Sequence, residues 1–232
     1  MKNWIQKYGI VVYILLLSVH LYTQLFDVTY LQTITKLLLL PLLIIIVITQ
    51  EVPTIYAKEK ILVILALLFS WIGDALLSFD HLFIPGMIAF LLTHVFNIIY
   101  FNKVHSLNSR KNIRYFLITI VLIVFCGLVY YRLRDTLGAL VVPIVIYMVV
   151  IAFSCMMTVN ASLNHKATMI ANLFWTPGMY FFIASDTVLA FNKFIWSVQA
   201  PRPHIGLVTM ATYGIAQLLL VKGSQLYFAK KD

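Results

Sequence analysis

Eight stretches of mostly apolar residues follow one another along the chain, and they leave few folds open. They lie at roughly 8–24, 31–49, 60–79, 83–103, 113–130, 139–159, 169–191 and 205–228. A helix needs about twenty such residues to cross the hydrocarbon of a bilayer. In lipid only helices and closed barrels satisfy every backbone N–H and C=O internally. Barrel strands alternate apolar and polar residues, and these runs are too long and too uniform for that. The expectation is an all-α, polytopic membrane helix bundle of about eight transmembrane helices. No polar stretch is long enough to fold alone and no repeat is evident, so residues 1–232 read as a single transmembrane domain. Composition agrees, with 62% of residues hydrophobic and 11% charged; soluble domains run at about half and a quarter.

The net charge of +9 is an orientation signal. The basic residues sit mostly in short connections between apolar runs, which argues for no nucleic-acid partner. With eight spans, Lys2, Lys7, Lys58, Lys60, Lys103, Arg110, Lys111, Arg114, Lys166, Lys230 and Lys231 share one side. Arg132, Arg134, Lys193 and Arg202 share the other. Cytoplasmic loops carry the excess of Lys and Arg, which puts both termini in the cytoplasm of a multi-pass plasma (inner) membrane protein. The stretch MKNWIQKYGIVVYILLLSVH begins like a signal peptide but lacks a small-residue cleavage site, so it reads as a retained first helix. Cys126 and Cys155 lie in apolar runs with no CxxC spacing and read as packing residues. Pro177, followed by Gly178, predicts a kink in the seventh run.

Only two acidic residues, Asp74 and Asp186, fall inside the runs. A charge at the centre of a bilayer costs at least about 2.5–3.5 kcal/mol, so such residues are functional by default. Each lies about five residues, or about 7–8 Å, below the outer end of its span. Lys36 reaches a similar level, His94 lies deeper, Tyr147 and Tyr213 sit about two turns into their helices, and Asn97 and Gln217 are deeper still. These groups can converge on a cavity open to the outer side. Structural readings compete with functional ones. A buried aspartate can cap a neighbouring helix, and Lys36 can snorkel to the interface. His94 and the tyrosines can be satisfied packing residues. Ser70 and Ser78 share a face with Asp74 and can bond to it or to backbone carbonyls. His20 and His81 are weaker candidates near the outer interface.

The segments SWIGDALLSFDHLFIPGMIAFLLTHVFNIIYF and PGMYFFIASDTVLAFNKF resemble the YhhN-like lysoplasmalogenase family of multi-pass membrane proteins. The matching pattern is Gly73-Asp74, then Gly86, Phe90 and His94, and later Ser185-Asp186 with Leu189 and Ala190. Lys36 matches an early lysine, and Tyr213 with Gln217 a terminal Tyr-x-x-x-Gln. The family usually carries a proline directly after that lysine; here Leu37 follows and the proline is Pro41. The likeness runs over the second to the eighth span. It implies hydrolysis of the vinyl ether bond of a lysoplasmalogen, a lysophospholipid substrate, giving a fatty aldehyde and glycerophosphocholine or glycerophosphoethanolamine. It implies no cofactor.

That chemistry suits the residues. A vinyl ether resists base and hydrolyses in acid, and the slow step is proton delivery to the alkenyl carbon beta to the oxygen. The resulting oxocarbenium ion resembles that of glycosidases, where two carboxyls in different environments divide the work. The expectation is therefore an aspartate dyad, Asp74 and Asp186, sharing a proton in a low-dielectric site. The apolar neighbours Phe182, Ile183 and Val188 incline the acid role toward Asp186. His94, Lys36, Ser185, Tyr147, Tyr213, Gln217 and Asn97 are read as substrate-binding or supporting residues. A proton-coupled secondary transporter using the same aspartates is the alternative, although no inverted repeat is evident. A non-catalytic scaffold and a metal-dependent lipid hydrolase are further rivals. The single core histidine, His94, gives few zinc ligands where three are usual, so no metal is assigned.

Overall fold

The computed structural model describes residues 2–107, 113–197 and 204–229. Arg110, Lys111, Arg202, Lys230 and Lys231 of the charge asymmetry lie outside the described residues. Every described element is helical: α1 (Lys2–Leu25), α2 (Thr29–Thr49), α3 (Ala57–Leu76), α4 (Phe83–Val104), α5 (Ile113–Leu137), α6 (Val141–Ala161), α7 (Thr176–Phe191) and α8 (Ile205–Phe228). A helical turn at Thr168–Ile170 and a π-helical turn at Ala171–Trp175 lead into α7, and a second π-helical turn at Asn192–Trp196 leaves it. The all-α expectation holds.

Among the described residues, five stretches have the length and composition to cross a membrane: Lys2–Leu25, Thr29–Thr49, Asp80–Val104, Ile113–Ala161 and Ile205–Phe228. Ile113–Ala161 runs for 49 residues but folds as α5 and α6, divided by a 3-10 turn at Gly138–Leu140. Gly138 there takes a φ of 52°, a left-handed backbone that glycine adopts without steric cost. α3 does not meet the test, because Lys58, Glu59, Lys60 and Asp74 interrupt it. α7, bounded by its two π-helical turns, has only 16 residues, and Thr176, Pro177, Ser185 and Asp186 stand among them in place of aliphatic ones. The two helices that escape a test of apolar length are the two that carry the aspartates.

Packing follows the order of the chain at first. α1 packs on α2, α2 on α3 and α3 on α4; then α4 packs on α6, α6 on α7, α7 on α8, and α8 returns to α1. α5 stands outside this ring against α6 and the turn after α7. Its outward residues are apolar and exposed, with Val121 at 64%, Ile123 at 66% and Leu128 at 62%. A helix so exposed on apolar atoms fits a lipid surround rather than water. The interior is filled by Tyr13, Leu39, Leu43, Trp175 and Phe182, all fully buried. α1 and α8 approach closely at Gly214, where an added Cβ would fall 2.5 Å from Leu17. The Gly214 carbonyl accepts the Tyr13 hydroxyl at 3.0 Å.

The two helix prolines are accommodated differently. Pro41 lies inside α2, and with no N–H it frees the carbonyl four residues back. That carbonyl, of Leu37, accepts the Trp71 indole N–H of α3 at 2.9 Å. Pro177 instead follows the π-helical turn Ala171–Trp175. The irregularity expected there takes the form of a widened turn, a common device at functional helices. The helix ends also differ from expectation: α3 stops at Leu76 and α5 runs on to Leu137.

Candidate active site

Asp74 sits in the last turn of α3 and is 4% exposed. Its Oδ2 accepts the Tyr213 hydroxyl of α8 at 2.8 Å. The preceding residue has to be small, because a Cβ on Gly73 would lie 2.7 Å from the Phe90 ring of α4. Phe90 in turn meets Phe182 and Tyr213 edge-on, with centroids 6.1 and 5.9 Å away. Three aromatic rings therefore cluster beside the Gly73-Asp74 turn.

Asp186 lies on α7, and its side chain is 16% exposed. Its Oδ2 accepts a hydrogen bond from the Tyr147 hydroxyl of α6. The same hydroxyl lies 3.3 Å from Nε2 of His94 on α4, and that nitrogen is 3.9 Å from Asp186 Oδ2. His94 is fully buried and packs edge-on against Phe182, with centroids 4.7 Å apart. A phenol has one proton. When Tyr147 gives it to Asp186, the second contact must be donated by Nε2–H, and Nδ1 then carries the lone pair. Nδ1 is buried without a partner. Both neighbours address Oδ2, which leaves Oδ1 for another molecule.

Asp186 also lines a cleft that encloses about 720 Å³ of non-atom space, part of it open to the outside. The cleft lies between α4, α5, α6 and α7, and its walls are almost wholly apolar: Met87 and Phe90, Phe125 and Val129, Ile144, and Leu189 among others. Asp186, Tyr147 and Thr187 bring polar atoms to it. Asp74 does not line it. The two carboxyls occupy one end of the bundle, and Asp74 lies in the field of both Lys36 and Asp186. Each is held by its own tyrosine.

The remaining sequence-flagged residues divide by location. Lys36 Nζ is 3.4 Å from Ser78 Oγ, and Ser78 donates to the Asp74 carbonyl at 2.9 Å, which places the lysine at the Asp74 end. Ser185 donates to the Thr209 carbonyl at 3.0 Å and ties α7 to α8. Gln217 donates to Ser70 Oγ at 3.0 Å, and Ser70 pairs with Thr93 at 3.1 Å. Gln217 and Asn97 line a second, smaller cavity deeper in the bundle. His20 is engaged by Thr35 at 2.8 Å, and His81 is exposed in the α3–α4 connection. Cys155 is buried and Cys126 partly so, both as free thiols. Among the described residues, no three His, Cys, Asp or Glu side chains gather where a metal ion could be held. Sequence reasoning missed the α5 wall of the cleft, since Phe125 and Val129 look like any lipid-facing residue. It also missed Trp71, although that residue stands within the quoted motif.

The model of the YhhN family matches residues 31–224, which is α2 through most of α8. The chain belongs to the YhhN family. The matched region holds every residue of the two carboxyl clusters and leaves α1 outside. This YhhN protein is also similar to the human protein lysoplasmalogenase TMEM86A, with 30% identity over 166 residues. That alignment covers 68% of this chain and 62% of the human protein. The chain thus spans less than two thirds of the length of that curated relative. No solved structure matches it. The resemblance seen in the sequence motifs is therefore correct in family and extent, and the protein is an all-helical member of the YhhN family with several helices apolar enough to cross a membrane.

Proposed function

We propose that this YhhN protein is a vinyl ether hydrolase of the lysoplasmalogenase type, acting within a bundle of eight spans with both termini in the cytoplasm. The carrying observation is Asp186: a carboxyl at the wall of an otherwise apolar cleft, held through one oxygen by Tyr147 with His94 beside it. In this reading the alkenyl chain of a lysophospholipid lies in the cleft. Its head group stays at the bundle end that bears Lys36 and Lys193, whose ammonium groups suit a phosphate.

Asp186 delivers a proton from Oδ1 to the alkenyl carbon beta to the ether oxygen. The carboxylate that forms is stabilised at Oδ2 by the Tyr147 hydroxyl, a charge-assisted bond stronger than a neutral one. The positive charge on the oxocarbenium carbon is stabilised by that carboxylate and by the field of Asp74, so the carboxyls act on one charge without touching. Water adds to the carbon and its proton returns to a carboxylate. The hemiacetal then collapses to a fatty aldehyde and the glycerophospho-base. Lys36, at the Asp74 end, supplies a counter-charge for Asp74 in this stabilising role.

The test is incubation of the purified protein with 1-alkenyl and with 1-acyl lysophospholipid, assaying free aldehyde and free fatty acid. The reading expects aldehyde from the first and no comparable hydrolysis of the second. Absence of aldehyde, with proton-driven uptake into proteoliposomes instead, would establish the transporter alternative.

A further inference from the structure

The second cavity lies between α3, α4 and α8 and encloses about 310 Å³ of non-atom space. Polar side chains make up a larger share of its lining than of the cleft's. Thr93, Asn97 and Tyr100 come from α4, and Gln217 and Ser224 from α8. On α3 the residues Glu59, Val63, Ala66, Ser70 and Asp74 recur at three- to four-residue spacing and so share a face. On α8 the same spacing relates Tyr213, Gln217, Leu220 and Ser224. Three helices thus direct polar positions at one axis, from Asp74 at one end of the bundle to Glu59 at the other.

Two buried groups on this axis lack partners. The Tyr100 hydroxyl belongs to a residue 1% exposed that lines the cavity, and it makes no hydrogen bond of good geometry. Its polar neighbour Ser224 donates to the Leu220 carbonyl at 2.9 Å instead. Oε2 of Glu59 is likewise buried and unpaired. Leaving such groups unsatisfied is costly, and water occupies a buried space when it is roomy and polar. His94, which lines neither space, follows the cavity-lining Thr93 on α4 and contacts the cleft-lining Tyr147. Its Nε2 serves the Asp186 side, and Nδ1 is a third buried group without a partner.

We propose that the polar cavity between α3, α4 and α8 holds the water that the hydrolysis consumes, entering at the Glu59 end and reaching the site past His94. This rests on the hydrolase reading. Each turnover removes one water, which adds its oxygen to the oxocarbenium carbon while its protons go to a carboxylate and the departing alkoxide. The apolar cleft is a poor source of that water. The polar cavity is a suitable one, with His94 Nδ1 as the acceptor that orients the molecule at the exit.

Radiolytic hydroxyl footprinting of the purified protein reads cavity water directly, because a buried side chain is oxidised when water lies next to it. Tyr100 should be labelled, whereas Tyr13, equally buried with its hydroxyl bonded to Gly214, should not. Asn97→Leu should suppress the Tyr100 label and lower kcat for aldehyde release at least tenfold with KM unchanged. Thr93→Val, a milder change, should do the same in smaller measure and serves if the leucine variant does not fold. An unlabelled Tyr100 in protein that releases aldehyde overturns the water path. An equal kcat in a variant that has lost the label does so as well. A labelled Tyr100 in protein that releases no aldehyde overturns the hydrolase reading, and with it this role for the water.

Discussion

The bond from Trp71 to the Leu37 carbonyl predicts a measurable coupling between Trp71 and Pro41. Pro41 has no N–H, so the Leu37 carbonyl lacks its helical donor, and the Trp71 indole supplies one at 2.9 Å. Trp71→Phe removes that donor and some ring area. Pro41→Ala restores the main-chain N–H, so the carbonyl no longer depends on the indole. The area loss is the same in both backgrounds and cancels in a double-mutant cycle. What remains is the bond itself. Interhelical hydrogen bonds in membrane proteins average about 0.6 kcal/mol and reach about 1.7, and a carbonyl with no other donor belongs near the upper value. The Trp71→Phe penalty should therefore be about 1–1.7 kcal/mol larger in the native background than in the Pro41→Ala background, roughly a five- to fifteenfold difference in the unfolding equilibrium. Reversible unfolding of the four proteins in mixed micelles by titration with a denaturing detergent measures it. Equal penalties in the two backgrounds would refute the argument, because the indole would then contribute only its area.

Three other outcomes follow from the same geometry. Asp186→Asn should reduce aldehyde release by about 10²–10⁴, the usual worth of a general acid, and a loss below tenfold in folded protein would remove it from that role. Asp74→Asn should also lower the rate, by less, since Asp74 does not line the cleft; a rate equal to wild type would sink its contribution. In the connection ahead of α4, Asp80 accepts a bond from Lys193 at 2.7 Å, and that ammonium holds its carboxyl below the ordinary carboxylate range. A depressed carboxyl adds stability above its unfolded value of about 3.9, and loses it as pH falls through the lower folded value. Lys193→Ala should thus differ slightly from wild type near neutral pH in low salt and converge with it in acid or at high salt, because both partners are exposed; a gap between the two unfolding midpoints that persists in acid would contradict the pairing.

The helices were legible because lipid leaves the backbone no alternative, and apolar length alone marks most of them. The aspartates were legible because a carboxylate in such a run is costly. Their similar depth also agrees with the placement of both near one end of the bundle. Pairing was not legible. Tyr147 and Tyr213 looked equivalent by depth, yet one serves Asp186 and the other Asp74, because α6 packs on α7 whereas α8 presents Tyr213 toward α3. Spacing along a helix fixes a face but not which neighbour meets it. The α5 wall of the cleft was invisible for a related reason: in lipid, a residue lining a cleft and one facing a hydrocarbon tail have the same chemistry.

This difference between depth and pairing bears on how two buried carboxyls can divide one reaction. A dyad in direct contact would share a proton and titrate as a unit. Here Phe90, Phe182 and Tyr213 pack edge-on against one another beside Asp74, and each carboxyl has its own phenol. Asp186 meets the cleft; Asp74 meets Ser78 through its carbonyl and lies in the field of Lys36. The environments differ, as a division between proton donor and charge stabiliser requires. The partitioned reading casts Phe90, whose ring packs close to α3 at Gly73, as the barrier between the two carboxyls. Phe90→Ala would open the space between them and give the carboxyls a route for direct proton exchange, at the cost of the apolar partition. The rate of aldehyde release should then fall even though both acids remain, and a faster Phe90→Ala enzyme would favour the contact dyad over the partitioned one.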